Sequence, residues 1–172
     1  MKIIGLYGWS GSGKTHLTCR LIKYFVKKKM VVSTFKHTHH NVEIDKKGKD
    51  SYLHRDSGAR EVMLGGKNNW ALIHKGKKSK NYEFDDLIKK FSKENDLLIV
   101  EGYKKLDIPK IELYNSKINK SLISNKNSKA VAIVYDVIDK NIINSNLPIF
   151  DFNNTKDIGE FILKFLKLDE KY

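Results

Sequence analysis

Short apolar runs alternate with amphipathic stretches along the chain. Residues 2–7 are mostly apolar and stop at Gly8, and beyond them Leu17, Leu21, Tyr24 and Phe25 recur at helical spacing. That order predicts a strand, a glycine loop and a helix. Residues 31–35 are rich in β-formers and follow the lysines at 27, 28 and 29, whose charges suit the C-terminal end of the helix dipole. A parallel βαβ crossover is expected. Asp50 and Ser51 are placed to cap a short helix reaching Ala59, and residues 61–64 and 70–74 read as a hairpin that turns at Gly65-Gly66. Residues 83–91 carry acidic and apolar positions at helical spacing. The apolar run 96–100 is short enough for a buried parallel strand and ends in a turn at Glu101-Gly102. Residues 130–135 and 147–150 predict two more strands. A closing helix presents Ile158, Phe161, Ile162 and Phe165 on one stripe, with Asn154 or Thr155 as its cap. Residues 104–129 are polar and irregular except for 109–114, where Ile111 and Leu113 alternate with polar neighbours after a proline. That pattern predicts an edge strand, and an exposed edge of this kind is a candidate dimer contact.

The first turn carries the clearest chemistry. Gly8-Trp9-Ser10-Gly11-Ser12-Gly13-Lys14-Thr15 matches the P-loop pattern and lies between a predicted strand and a predicted helix, the context in which the pattern has meaning. Glycines let successive amides point into one concavity beside the positive end of the helix dipole, a cradle for nucleoside triphosphate. Lys14 is expected to reach the β and γ phosphates, Thr15 to ligate Mg2+, and His16 to follow at the rim. A magnesium site also needs an acid at the end of a neighbouring buried strand, and Glu101 is the candidate. Lys14 and Glu101 are thus the expected catalytic pair, with Thr15 and Glu101 on the metal. The fold this implies is α/β: a P-loop NTPase-type, mostly parallel sheet with helices on both faces, plus a β-hairpin or edge-strand extension.

Lys36-His37-Thr38-His39-His40 follows the second predicted strand, and extended alternation puts His37 and His39 on one face. Three readings stay open: a loop facing phosphate or substrate, a transition-metal site completed by Asp45, or a solvated histidine cluster. Asp50, His54 and Arg55 lie near or on the next short helix, where they either join a ligand site or decorate an exposed face. No guanine-specifying Asn-Lys-x-Asp follows a strand, so motif and periodicity leave ATP and GTP open. Asp136, Asp151 and Asn153, after the last two predicted strands, are the candidates for reading the base.

Composition narrows the setting. With 172 residues and 40% hydrophobic content the chain reads as one domain, 1–172, large enough for its own core. No apolar run approaches the roughly 20 residues of a membrane span and no signal-peptide pattern opens the chain, so a cytoplasmic location is expected. The single cysteine, Cys19, excludes a disulfide framework and reads as a packing residue of the first helix. A net charge of +13 suggests an anionic partner, but the charge is almost all scattered lysine, and arginine occurs only at 20, 55 and 60. Scarce arginine argues against nucleic acid.

Several motifs together resemble a known family, the molybdopterin-guanine dinucleotide biosynthesis adaptor protein MobB. They are the P-loop, Lys36-His37-Thr38-His39-His40 with Ile44-Asp45-Lys46, Gly48-Lys49-Asp50-Ser51, His54-Arg55 with Ser57-Gly58-Ala59, Val100-Glu101-Gly102-Tyr103-Lys104, Ile108-Pro109-Lys110-Ile111-Glu112-Leu113 and Leu147-Pro148-Ile149-Phe150-Asp151. Residues 115–129 show no family pattern. The resemblance implies a homodimer that binds GTP, hydrolyses it weakly, and assists a molybdopterin guanylyltransferase, with molybdopterin itself a possible ligand. It implies that the region from His37 to Arg55 faces the nucleotide or pterin phosphates. A small-metabolite kinase using the same cradle is the competing expectation.

Overall fold

The computed structural model describes residues 1–38, 44–76, 82–124 and 129–171. The chain forms two compact units, one joining Met1–Thr38 to Ser92–Tyr172 and the other comprising His39–Phe91.

In the first unit, β1 (Lys2–Gly8), α1 (Lys14–Lys27) and β2 (Val32–Lys36) follow in the expected order. The second unit holds α2 (Asp50–Asp56), β3 (Glu61–Gly65), β4 (Trp70–His74) and α3 (Phe84–Ile88). The chain then returns through β5 (Leu97–Glu101), β6 (Lys110–Tyr114), β7 (Ala130–Tyr135), α4 (Lys140–Ile143), β8 (Ile149–Asp151) and α5 (Thr155–Phe165). The strands of the first unit form one six-stranded sheet in the order β2-β5-β1-β6-β7-β8, with every pairing parallel. The expected α/β architecture is therefore present. The crossover from β1 through α1 leads to β2, but β5 occupies the place between them.

Paired residues of neighbouring strands share a face, and this divides the core in two. Ile4, Leu6, Leu97, Ile99, Ile111 and Leu113 pack against Leu17, Leu21 and Phe25 of α1 and Ile158 and Ile162 of α5. On the other face, Tyr114 and Ile133 pack with Leu122 and Ile142. α5 begins where Asn154 accepts a hydrogen bond from the Asp157 amide at 3.2 Å. Strands β5 and β6 are buried along their whole length, as befits parallel strands with neighbours on both sides.

That last fact corrects the edge-strand expectation. Residues 110–114 lie between β1 and β7, and Ile111 and Leu113 are 0% and 1% exposed. They offer no surface to a second subunit. Cys19 is a second correction: it is exposed, because the buried stripe of α1 runs through Leu17, Thr18, Leu21 and Phe25 and leaves position 19 on the opposite side.

The second unit contains the expected hairpin, with Val62 opposite Ile73 and Met63 opposite Leu72. Val62 and Ile73 are buried, whereas Met63, Leu72 and Trp70 lie exposed on the other face. α2 ends at Asp56, before Ala59, and its N-cap is Lys49 with no side-chain cap. Ser51 does not cap it because its hydroxyl donates to Asp45 Oδ1 at 2.8 Å. An open groove of about 1030 Å³, lined among others by Arg60, Trp70, Leu72, Tyr82 and Leu87, belongs to this unit alone. Among the described residues no helix is long and apolar enough to cross a membrane.

Candidate functional site

Strands β2 and β5 lie to one side of β1, and β6, β7 and β8 to the other. The order in which strands are added thus switches sides at β1, and in open parallel sheets the crevice beyond the carboxyl ends at such a switch point is where ligands bind. The loop of residues 8–15 stands there.

Two of its glycines are required by close approach. Gly8 has φ 152°, and a Cβ on it would collide with the Leu113 carbonyl oxygen of β6. Gly13, at φ 87°, is the N-cap of α1, and a Cβ there would lie 2.9 Å from the Phe152 ring. Since α1 has neither a side-chain cap nor an acid in its first turn, its leading amides remain as donors at the positive end of the dipole. Trp9, Ser10 and Gly11 form the exposed lip, and Ser12 is buried beneath it.

The Lys14 side chain curls over this loop, with Nζ donating to Trp9 O at 2.7 Å and Gly8 O at 3.3 Å. Burial pulls its ammonium below the ordinary lysine range; Glu101 opposes that shift, and Lys104 and Lys36 add to it. Thr15 Oγ1 donates to Glu101 Oε1 at 2.7 Å, across 86 residues of sequence. The contact exists because Glu101 ends β5, the neighbour of β1, and pairs in register with Leu6 on the face that carries α1. A hydroxyl and a carboxylate so placed make a hard-oxygen donor set of the kind magnesium takes.

His16 is exposed and stacks on Phe152 at 5.7 Å between ring centroids, and Arg20, one turn on, lies over the same ring. His37 stacks on Tyr103 at 4.0 Å, and its amide donates to Glu101 O, so the histidine segment starts beside the Glu101 turn. His39 lies outside the described residues. Among the described residues no group of three histidine, cysteine or acidic side chains is arranged to hold a metal ion. Asp50 and Arg55 belong to the other unit: Asp50 is exposed, and Arg55 Nε is 3.7 Å from Asp45 Oδ2 and stacks on Tyr52. Of the candidates for base recognition, Asp136 is engaged by Ser116, accepting from its amide at 2.8 Å and its hydroxyl at 2.9 Å. Asp151 Oδ1 accepts from the Asn153 amide at 2.6 Å.

The loop is also braced from beneath by residues that periodicity passed over. Lys110 and Glu112, 2% and 1% exposed, share the sheet face opposite α1. Lys110 Nζ donates to Lys104 O at 2.7 Å and Leu106 O at 2.6 Å, fixing the turn after β5. Glu112 accepts from the Ile123 amide at 2.7 Å and the Ser124 amide at 2.6 Å, and from Tyr7 OH at 3.4 Å. Both braced segments reach Trp9: Lys104 Nζ lies 4.2 Å from its ring centroid, and Ser121 O accepts its indole N–H at 3.0 Å. Asn115 Nδ2 adds a 3.4 Å bond to Gly11 O. The only trace of this in the sequence was a lysine and a glutamate alternating through an apolar strand.

Comparison with known proteins follows the same lines. Residues 3–136 match the family model described as molybdopterin guanine dinucleotide synthesis protein B, MobB. A molybdopterin-guanine dinucleotide biosynthesis adapter protein of Haemophilus influenzae is 34% identical over 169 residues, covering 96% of this chain and 90% of its own length. Its Escherichia coli namesake is 27% identical over 97% of this chain and 94% of its own. The crystal structure of Bacillus subtilis MobB superimposes with a TM-score of 0.76 at 22% identity, over 96% of this chain and 98% of that one, a likeness of fold. With a family model spanning the glycine loop, the histidine segment and β1 through β7, and a relative of this identity along nearly its full length, the chain belongs to the MobB family.

Proposed function

We propose that this chain is a GTP-binding adapter in molybdopterin-guanine dinucleotide biosynthesis, which assists a molybdopterin guanylyltransferase and hydrolyses GTP weakly. The observation that carries the nucleotide part is the Thr15–Glu101 contact at the mouth of a glycine loop with uncapped helix amides. The adapter part is supported by the names of the relatives. In this reading the amides of residues 9–15 hold phosphate oxygens. Lys14 trades the Trp9 and Gly8 carbonyls for the β and γ phosphates, so a half-buried ammonium that now rests on neutral acceptors gains anionic ones. Thr15 and Glu101 would hold magnesium, which supplies charge neutralisation between those phosphates. Trp9 and its braces keep the lip in shape before the nucleotide arrives.

The experiment is a titration of the purified protein with GTP and ATP analogues, with and without molybdopterin and a guanylyltransferase. Preference for GTP, together with faster dinucleotide formation, is the expected result. Transfer of the γ phosphate to a small acceptor by this chain alone would make it a kinase instead.

Glu101→Gln should weaken magnesium-dependent GTP binding by about tenfold, because a neutral amide replaces the carboxylate that faces Thr15. Binding measured in EDTA should stay near that of the parent. Equal magnesium dependence in the two proteins would remove Glu101 from the metal.

A homodimer completes the reading. With β6 interior, the exposed face of the hairpin, bearing Met63, Leu72 and Trp70, is the better surface for self-association. Sedimentation of Met63→Glu/Leu72→Lys should give a folded monomer from a dimeric parent; an unchanged dimer would exclude this face.

A further inference from the structure

Moving sideways across the sheet from the phosphate loop, one meets the end of β5 and then the end of β2. The parallel register places Leu6, Glu101 and Lys36 at one level on one face. Glu101 Oε1, which accepts the Thr15 hydroxyl, is also 3.5 Å from Lys36 Nζ. One carboxylate oxygen therefore stands between the hydroxyl of α1 and an ammonium from the far side.

The Lys36 side chain is 65% exposed. An ion pair that open to water adds little to stability, on the order of 0–1 kcal/mol, so stability gives no reason for a lysine at this position. Its effect on Lys14 is repulsive, as is that of Lys104. A cluster of like charges around one carboxylate is disfavoured until an anion enters it. Position decides which part of the anion. β2 stands two strand spacings from β1, roughly 9–10 Å, and from there the lysine stem reaches back as far as Glu101.

We propose that Lys36 is the residue by which this site distinguishes a nucleoside triphosphate from a diphosphate, its ammonium meeting the terminal phosphate on the side away from Lys14. The inference rests on the nucleotide reading above. Lys14 grips the phosphates next to the loop and serves both nucleotides. Lys36 approaches from the far side of Glu101, two strands from the loop, so its contribution is expected only when a third phosphate is present.

The test is calorimetric titration of the full chain with a non-hydrolysable GTP analogue and with GDP, each with magnesium, for the parent, Lys36→Ala and Lys36→Arg. The alanine variant should bind the triphosphate analogue about tenfold more weakly and GDP within about twofold of the parent, while arginine restores most of the loss. Equal loss for both nucleotides would make Lys36 a neutraliser of Glu101 and overturn the proposal, as would no loss for either. If the parent itself binds neither nucleotide, the nucleotide reading falls and this inference with it. If the parent binds both and the variants fail to discriminate, only the inference falls.

Discussion

Lys14→Ala should cost the protein most of its triphosphate affinity while leaving the fold intact. The ammonium is held over the loop by carbonyl oxygens at 2.7 and 3.3 Å, within reach of any anion in the concavity. Hydrogen bonds to charged groups contribute about 1.5–3 kcal/mol, so its loss should weaken binding roughly 10- to 150-fold. The helix should not suffer, since alanine is the stronger helix former. A pH signature accompanies the effect. Binding a polyanion needs the charged lysine, whose pKa in the free protein is lowered by burial. Affinity should therefore decline as pH rises towards the ordinary lysine range, sooner than an exposed lysine would dictate, with protons taken up on binding in that window. In Lys14→Ala this early onset of the decline should be lost. Calorimetry between neutral and alkaline pH reads both effects, and a folded variant with parental affinity would end the phosphate-loop assignment.

The second large effect is expected at a residue that touches no ligand. Glu112→Ala leaves the amides of Ile123 and Ser124 without their acceptor and opens a void beneath Tyr7 in the middle of the sheet. A buried donor left unpaired costs about 1–3 kcal/mol, and with the buried Tyr7 hydroxyl and two half-buried amides losing their acceptor a loss of about 2–4 kcal/mol in unfolding free energy is expected. Glu112→Gln should fall between, since its amide oxygen replaces one acceptor while its NH2 opposes the second donor. The segment released is the one whose Ser121 carbonyl holds the Trp9 indole. Trp9 emission should therefore shift at denaturant concentrations too low to unfold the sheet, read in a Trp70→Phe background that leaves one tryptophan. A midpoint within experimental error of the parent for Glu112→Ala would show that these bonds are replaced by water.

Local pattern was enough to locate the parts that depend on neighbours in sequence. The strand, glycine loop and helix of residues 2–27 follow from an apolar run, a glycine at each end of the loop and a helical stripe, all decided within a few residues. The buried run ending at Glu101 and the closing helix with its Asn154 cap were legible for the same reason. Periodicity could not decide which strands became neighbours, although the P-loop pattern pointed to Glu101 on a strand beside the first. β5 enters between β1 and β2, and only that places Glu101 under Thr15 and beside Lys36. The strand at 110–114 shows the reason most plainly. Alternating Lys110, Ile111, Glu112 and Leu113 reads as one wet face and one dry face, because a charge inside a protein is costly unless it is paired. Here each charge is paired, the lysine by two carbonyls of the turn after β5 and the glutamate by two amides from residues 123 and 124. Periodicity records the polarity of a side chain but not the distant backbone groups that satisfy it, so burial of this strand was settled by the tertiary fold alone.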